Sequence, residues 1–264
     1  MSSHRHLRLG QALSAAFAGL PRAWRGAWGA ILACAVVWGG ADLAPPGSGL
    51  VAAAVGLIAG LVLVGAVTRV AVTGDLETAR RLGLGPAGLQ FGLPELQLLG
   101  AALLCAVFMA MILSVVALLL LAVFGMAGLD AEAINQRNWA AVGPVWKLVL
   151  LAVVTAFAFY GILVMIVRLS LFAPATLGRG HMVSLNSMGI AQGSFWPLLG
   201  GLAVVGLPGL ALAALTVAGP LGGRVGCLVW AVVFAAVLAP LALSFLGAAY
   251  RGLEYWTPEG EPYR

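Results

Sequence analysis

An all-α, polytopic membrane helix bundle is what this chain predicts, and three properties of its sequence lead there. First, 62% of the 264 residues are hydrophobic and only 9% are charged; soluble domains are about 45–50% apolar and about 25% charged. A water-soluble fold of that composition could not cover its own surface. Second, the apolar residues gather in six runs, at 24–43, 50–70, 96–125, 145–167, 195–218 and 225–250. Each is close to the ~20 residues that a helix needs to cross a bilayer, or longer. Third, the charged residues flank these runs and leave their centres bare, as expected where an ion at mid-bilayer is costly. Residues 1–264 therefore form one integral membrane domain of six transmembrane helices.

The basic residues give the orientation. Arg5, Arg8, Arg22 and Arg25 precede or open the first run, and Arg69, Arg80 and Arg81 follow the second. Arg168 and Arg179 follow the fourth, and Arg251 and Arg264 follow the sixth. Only Arg137, Lys147 and Arg224 fall on the other side. Loops rich in Lys and Arg stay inside, so both termini are cytoplasmic. The net charge of +5 is then a mark of topology and not of nucleic-acid binding. The partners expected are membrane lipids, with no nucleic acid; a homo-oligomer is left open.

In order along the chain, Leu9, Leu13, Ala16, Phe17 and Leu20 recur at three- and four-residue spacing, which predicts an amphipathic helix lying in the interface. Pro21 then allows a turn into the first span, whose Trp24 and Trp28 suit an aromatic belt. Pro45-Pro46-Gly47-Ser48 marks a tight outer turn. In the second span Ala52, Gly56 and Gly60 stand at four-residue spacing, where small residues let helices approach closely. Asp75 fits the N-cap of a short helix carrying Glu77, Arg80 and Arg81, and the glycines and prolines from Gly83 to Pro94 stop a longer one.

A polar outer loop follows the third span, from Met126 to Pro144, and holds Asp130, Glu132, Arg137 and Trp139. Residues 181–193 are too short to cross a bilayer and predict a helix parallel to it. Met182, Leu185 and Met188 would form its apolar face, with Ser184, Ser187 and Ser194 mostly off it. Cys34, Cys105 and Cys227 lie within spans and read as small hydrophobes.

Val67-Thr68-Arg69-Val70 resembles Ile166-Val167-Arg168-Leu169, and Leu98-Leu99-Gly100-Ala101 resembles Leu198-Leu199-Gly200-Gly201. With Arg251 at the end of the sixth run, the spacing fits a unit of interfacial helix, span and span, occurring three times in parallel.

Arg69 and Arg168 each close a span. Such an arginine either snorkels to a lipid phosphate or holds the next interfacial segment by bonding its backbone or, for Arg69, Glu95. Arg69, Arg168, Arg251 and Glu95 are therefore the candidate anchors. No metal-ligand spacing, nucleophile elbow or carboxylate pair is present, so neither a cofactor nor an enzymatic activity is expected. The function expected is structural or lipid-interacting, against an alternative of a small transporter or channel for an apolar or lipid-like substrate.

From Arg168 to Gly200 the chain resembles the membrane domain of bacterial glycerophosphoryl diester phosphodiesterases and the related YciC-like inner-membrane proteins. Those proteins carry Arg-Leu-x-Leu-x-x-Pro, standing here as Arg168-Leu169-Ser170-Leu171-Phe172-Ala173-Pro174. A second motif, Ser-Trp-x-Leu-Thr-x-Gly-x-Phe-Trp, is met by Ser187, Gly193, Phe195 and Trp196. Met188 and Ala191 depart from it, where the family has Trp and Thr. Gly88 to Leu96 resembles the family's first interfacial loop. The resemblance implies a six-span bacterial inner-membrane protein. The phosphodiesterase barrel of the fused relatives is absent, so their activity is not implied.

Overall fold

The computed structural model describes residues 7–40, 45, 47–136, 142–184, 187–191, 193–217, 219 and 223–254. Pro46, Arg137, Trp139, Leu185 and Gly222 lie outside them. The described residues form helices without strands: α1 (Leu9–Gly39), α2 (Gly49–Thr73), α3 (Leu76–Arg81), α4 (Leu93–Met126), α5 (Ala131–Asn135), α6 (Val145–Leu169), α7 (Phe172–Arg179), α8 (Ser187–Ile190), α9 (Phe195–Val217), α10 (Gly223–Val233) and α11 (Ala239–Leu253). A 3-10 turn at Pro86–Gly88 precedes α4, and a π turn at Phe234–Leu238 joins α10 to α11. The order of long helix, short helix, single turn and long helix thus occurs twice, as α2–α3–turn–α4 and as α6–α7–α8–α9.

Five stretches are long and apolar enough to cross a membrane: Gly49–Thr73, Pro86–Met126, Val145–Arg179, Phe195–Val217 and Val225–Leu253. They mark the chain as a membrane protein. The expected first span lies in α1, which is not among the five. Arg25, Gly26, Trp28 and Gly29 dilute its apolar half.

The expected turn at Pro21 is absent. Pro21 stands inside α1, because its fixed φ suits a helix even though it lacks the N–H. The break comes at Ala27 (φ −124°, ψ 20°), where the 3-10 turn presses on α1. A Cβ on Gly88 would lie 2.7 Å from the Ala27 Cα.

The chain divides into two compact units, Met1–Ala102 with Arg168–Arg264, and Leu103–Val167. In the first, α1 runs antiparallel to α10 and α11. Gly39 lies beside Leu228, Gly19 beside Ser244 and Gly252 beside Leu7. Pro240 has no N–H to offer the Ala236 carbonyl four residues earlier, and the Trp24 indole donates to that carbonyl at 2.6 Å. The core between α1, α2 and α11 is made largely of small side chains, among them Ala27, Ala30, Cys34, Ala66 and Ala235. Close approach follows. A Cβ on Gly247 would lie 2.5 Å from the Ala71 side chain, and one on Gly201 1.9 Å from the Phe245 ring. Gly56 and Gly60 make room for a side chain and not for a backbone: the Trp38 indole lies over both and donates to the Gly56 carbonyl at 3.0 Å.

In the second unit, α4 and α6 expose apolar side chains along most of their length, including Leu104, Met111, Leu118, Leu150, Phe157 and Leu163. Lys147 Nζ donates to the Ala127 carbonyl just beyond α4, at 2.9 Å. Asp130 Oδ1 accepts the N–H groups of Glu132 and Ala133 at the start of α5.

Among the described residues of 181–193 the expected continuous helix is not seen: 181–184 are non-helical, and the helical residues are those of the single turn of α8. Of the expected apolar face, Met182 is 47% exposed, while Ser187 and Ser194, expected off that face, are fully buried. Buried hydroxyls decide this, as the site geometry makes plain. The short helix of this region is instead α7, which buries Ala173 to Leu177.

Candidate functional site

Arg69 sits near the C-terminal end of α2, 3% exposed. Its Nη1 donates to Glu95 Oε1 at 2.6 Å, and Glu95, in the first turn of α4, is 1% exposed. Arg69 Nε donates to the Leu82 carbonyl at 3.1 Å. Leu82 ends α3, where a carbonyl lacks its helical donor. Glu95 Oε2 in turn accepts the Gly92 N–H at 2.9 Å. One buried ion pair thus ties α2, α3 and the start of α4 together. Gly65 leaves the space for it, since a Cβ there would lie 2.8 Å from Glu95 Oε1. Of the two arrangements open to Arg69, its side chain takes the second.

Arg168 ends α6 without such a partner, and its Nε is buried with no hydrogen bond among the described residues. From Arg168 to Trp196 the chain has no Asp or Glu, so nothing in that stretch can repeat the role of Glu95.

Arg251 lies in the last turn of α11 and reaches Gly74, the left-handed residue that ends α2 (φ 73°). A Cβ at Gly74 would lie 2.1 Å from Arg251 Nη1. Arg22 Nη1 donates to the Gly74 carbonyl at 2.7 Å. Two guanidinium groups therefore meet the carboxyl end of α2, where the helix dipole favours positive charge. Arg179, at the end of α7, bonds Glu254 through Nε at 2.9 Å and pairs with it through Nη2.

The residues of the two motifs scatter in role. Pro174 is buried in the first turn of α7, where proline is tolerated. Ser187 Oγ donates to the Ser184 carbonyl at 2.7 Å. Gly193 has φ 82°, a conformation that favours glycine. Phe195 and Trp196 meet edge to face at 5.0 Å, and Trp196 is 69% exposed.

Two hydroxyls escaped the reading of the sequence. Thr176 Oγ1 accepts the Val183 N–H at 3.2 Å and lies within bonding distance of the Phe172 and Val183 carbonyls. It holds 181–183 against α7 and so replaces a helix there. Ser194 Oγ accepts the Leu7 N–H at 3.2 Å and joins the N-terminal segment to the start of α9. A lone Thr on the apolar face of a short helix was the one available signal for the first; the second had none.

Two apolar cavities also lie in the first unit. One of about 470 Å³ is lined by Trp38, Gly56, Gly60, Leu98 and Phe172, among others. One of about 330 Å³ is lined by Val205, Gly209, Phe234 and Leu238, among others. Among the described residues no three His, Cys, Asp or Glu side chains gather. Comparison with family models, with curated proteins and with solved structures gives no match.

Proposed function

We propose that this is a six-span inner-membrane protein, both termini cytoplasmic, with a structural or lipid-interacting role exercised at its cytoplasmic face. The observation that carries the reading is the gathering of Arg22 and Arg251 at the end of α2, at the side where the charge bias puts the cytoplasm. Anionic lipid phosphates lie at that level, and juxtamembrane arginines attract them. The resemblance to the phosphodiesterase membrane domain points the same way, and α1 supplies the sixth span from its apolar second half.

The topology is testable by cysteine accessibility in intact cells, after Cys34, Cys105 and Cys227 are replaced. An impermeant maleimide should label Pro46→Cys, Arg137→Cys and Gly222→Cys and leave Arg80→Cys and Arg179→Cys untouched until the cells are opened. Labelling of Arg80→Cys in intact cells would sink the model. Retention of phospholipid by the purified chain in native mass spectrometry tests the lipid-interacting role.

The second reading, a transporter or channel for an apolar or lipid-like substrate, is favoured by the 470 Å³ apolar cavity beside Trp38. Lipid flux across proteoliposomes, with and without the protein, separates the two.

A further inference from the structure

A cavity of about 470 Å³ opens between the start of α1 and the end of α11, lined by Arg8, Gln11, Arg251 and the apolar Leu7, Ala12 and Ala15, among others. Its polar lining is Arg8, Gln11 and Arg251, with no acidic residue among the described residues that line it. We propose that this cavity is a binding site for a phosphate ester, held by Arg8 and Arg251 with Gln11 beside them. The proposal rests on the lipid-interacting reading above and gives it an address.

The charge balance carries the argument. Neither Arg8 nor Arg251 has a side-chain hydrogen bond or ion pair among the described residues. Arg251 is also turned toward Gly74, whose carbonyl is already taken by Arg22. Two like charges therefore meet at the end of α2, and Arg8 adds a third at the cavity. The dipole of α2 offsets about half a charge, which leaves the others uncompensated.

Among the described residues of the first unit, Glu95 is paired with Arg69, Glu254 with Arg179, and Asp75 caps α3, while Glu77 is exposed and bonds neither arginine. From Ala133 to Leu253 the sequence contains no Asp or Glu at all. Among its described residues the first unit thus pairs two of its arginines internally and gives Arg8 and Arg251 no acidic partner.

Phosphate suits Arg8 and Arg251 because a guanidinium offers parallel N–H donors matched to its oxygens. The apolar walls of Leu7, Ala12 and Ala15 suit the glycerol and first carbons of an ester better than a small hydrated anion. The source is either a lipid headgroup or a soluble phosphate.

The test uses the full chain in a neutral detergent. The probes are phosphatidylglycerol, diacylglycerol (the same chains without phosphate), inorganic phosphate and glycerol 3-phosphate. The variants are Arg8→Gln, Arg251→Gln and Arg251→Lys, with Arg81→Gln as an exposed control of equal charge change. Thermal unfolding checks that each is folded. Arg8 is exposed, so Arg8→Gln keeps the test open even if Arg251→Gln fails to fold.

Retention of phosphatidylglycerol in native mass spectrometry should fall about tenfold in Arg8→Gln and in Arg251→Gln, the loss expected for one charge-assisted contact. Arg251→Lys should lie between these and the wild type, and Arg81→Gln should match the wild type. Displacement of the lipid by millimolar phosphate or glycerol 3-phosphate assigns the site to a soluble phosphate; resistance assigns it to the headgroup. Equal retention by the wild type, Arg8→Gln and Arg81→Gln overturns the site while leaving lipid binding elsewhere intact. Retention of diacylglycerol as strong as that of phosphatidylglycerol also overturns it. Binding of soluble phosphate at the two arginines with no lipid retained keeps the site and sinks the lipid-interacting reading.

Discussion

Arg69 and Glu95 are each worth more to the other than to the fold. A buried ion pair gains little over well-packed apolar residues, yet removing one partner strands a charge and costs about 3–5 kcal/mol. Arg69→Met or Glu95→Leu alone should therefore destabilise the protein strongly in thermal unfolding in detergent, while the double variant recovers much of the loss. Equal damage from single and double variants would mean that Arg69 acts through the Leu82 carbonyl instead. This pair was partly legible in the sequence: an arginine closing a span and one acid in the following segment are visible, and a lipid phosphate is the only rival partner. Thr176 and Ser194 were not legible. A hydroxyl bonds whatever backbone group the fold brings near, and neither Val183 nor Leu7 is marked by spacing.

At the scale of elements, α3 shows a local rule that holds and residues 181–193 show one that fails. Asp75 Oδ2 accepts the Thr78 N–H at 3.0 Å and the Thr78 hydroxyl at 3.1 Å. These bonds, the backbone one first, hold the Asp75 carboxyl below its ordinary value. Because the folded pKa is depressed, the cap stabilises α3 above the unfolded value of about 3.9. That contribution is lost as the pH falls through the folded value. Amide exchange over residues 76–82 should therefore quicken in the wild type relative to Asp75→Asn below about pH 4, since Asn caps without a charge. A wild type to Asn ratio that is flat with pH would remove the cap from the argument. The 181–193 pattern misled because apolar residues at helical spacing carry no sign that Thr176 takes the Val183 backbone groups and holds 181–183 non-helical against α7. The π turn was invisible for a related reason: Pro240 was legible, but the indole that answers the Ala236 carbonyl comes from a helix more than 200 residues earlier in the chain.

The whole molecule was legible as far as composition reaches, which is to say its helical, membrane-embedded character and the rough bounds of most long helices. What composition could not reveal is that the chain lives under two different rules of sequence change. In the first unit, Gly201 and Gly247 stand where a single added carbon collides with a neighbour, so identity is constrained atom by atom. In the second unit, an added carbon on Gly125 would meet nothing within 4 Å, and α4 has no polar side to keep oriented. There most side chains of α4 and α6 are exposed, and the main demand on them is solubility in lipid. A library that scrambles Leu, Ile, Val and Phe among residues 103–124 should retain expression and thermal stability in most members. The same scramble over 62–72 or 239–250 should lose both in most, with deep sequencing of the folded fraction as the readout. Over generations the hairpin would then drift freely in spelling while holding its hydropathy, and the sequence around it would stay almost still.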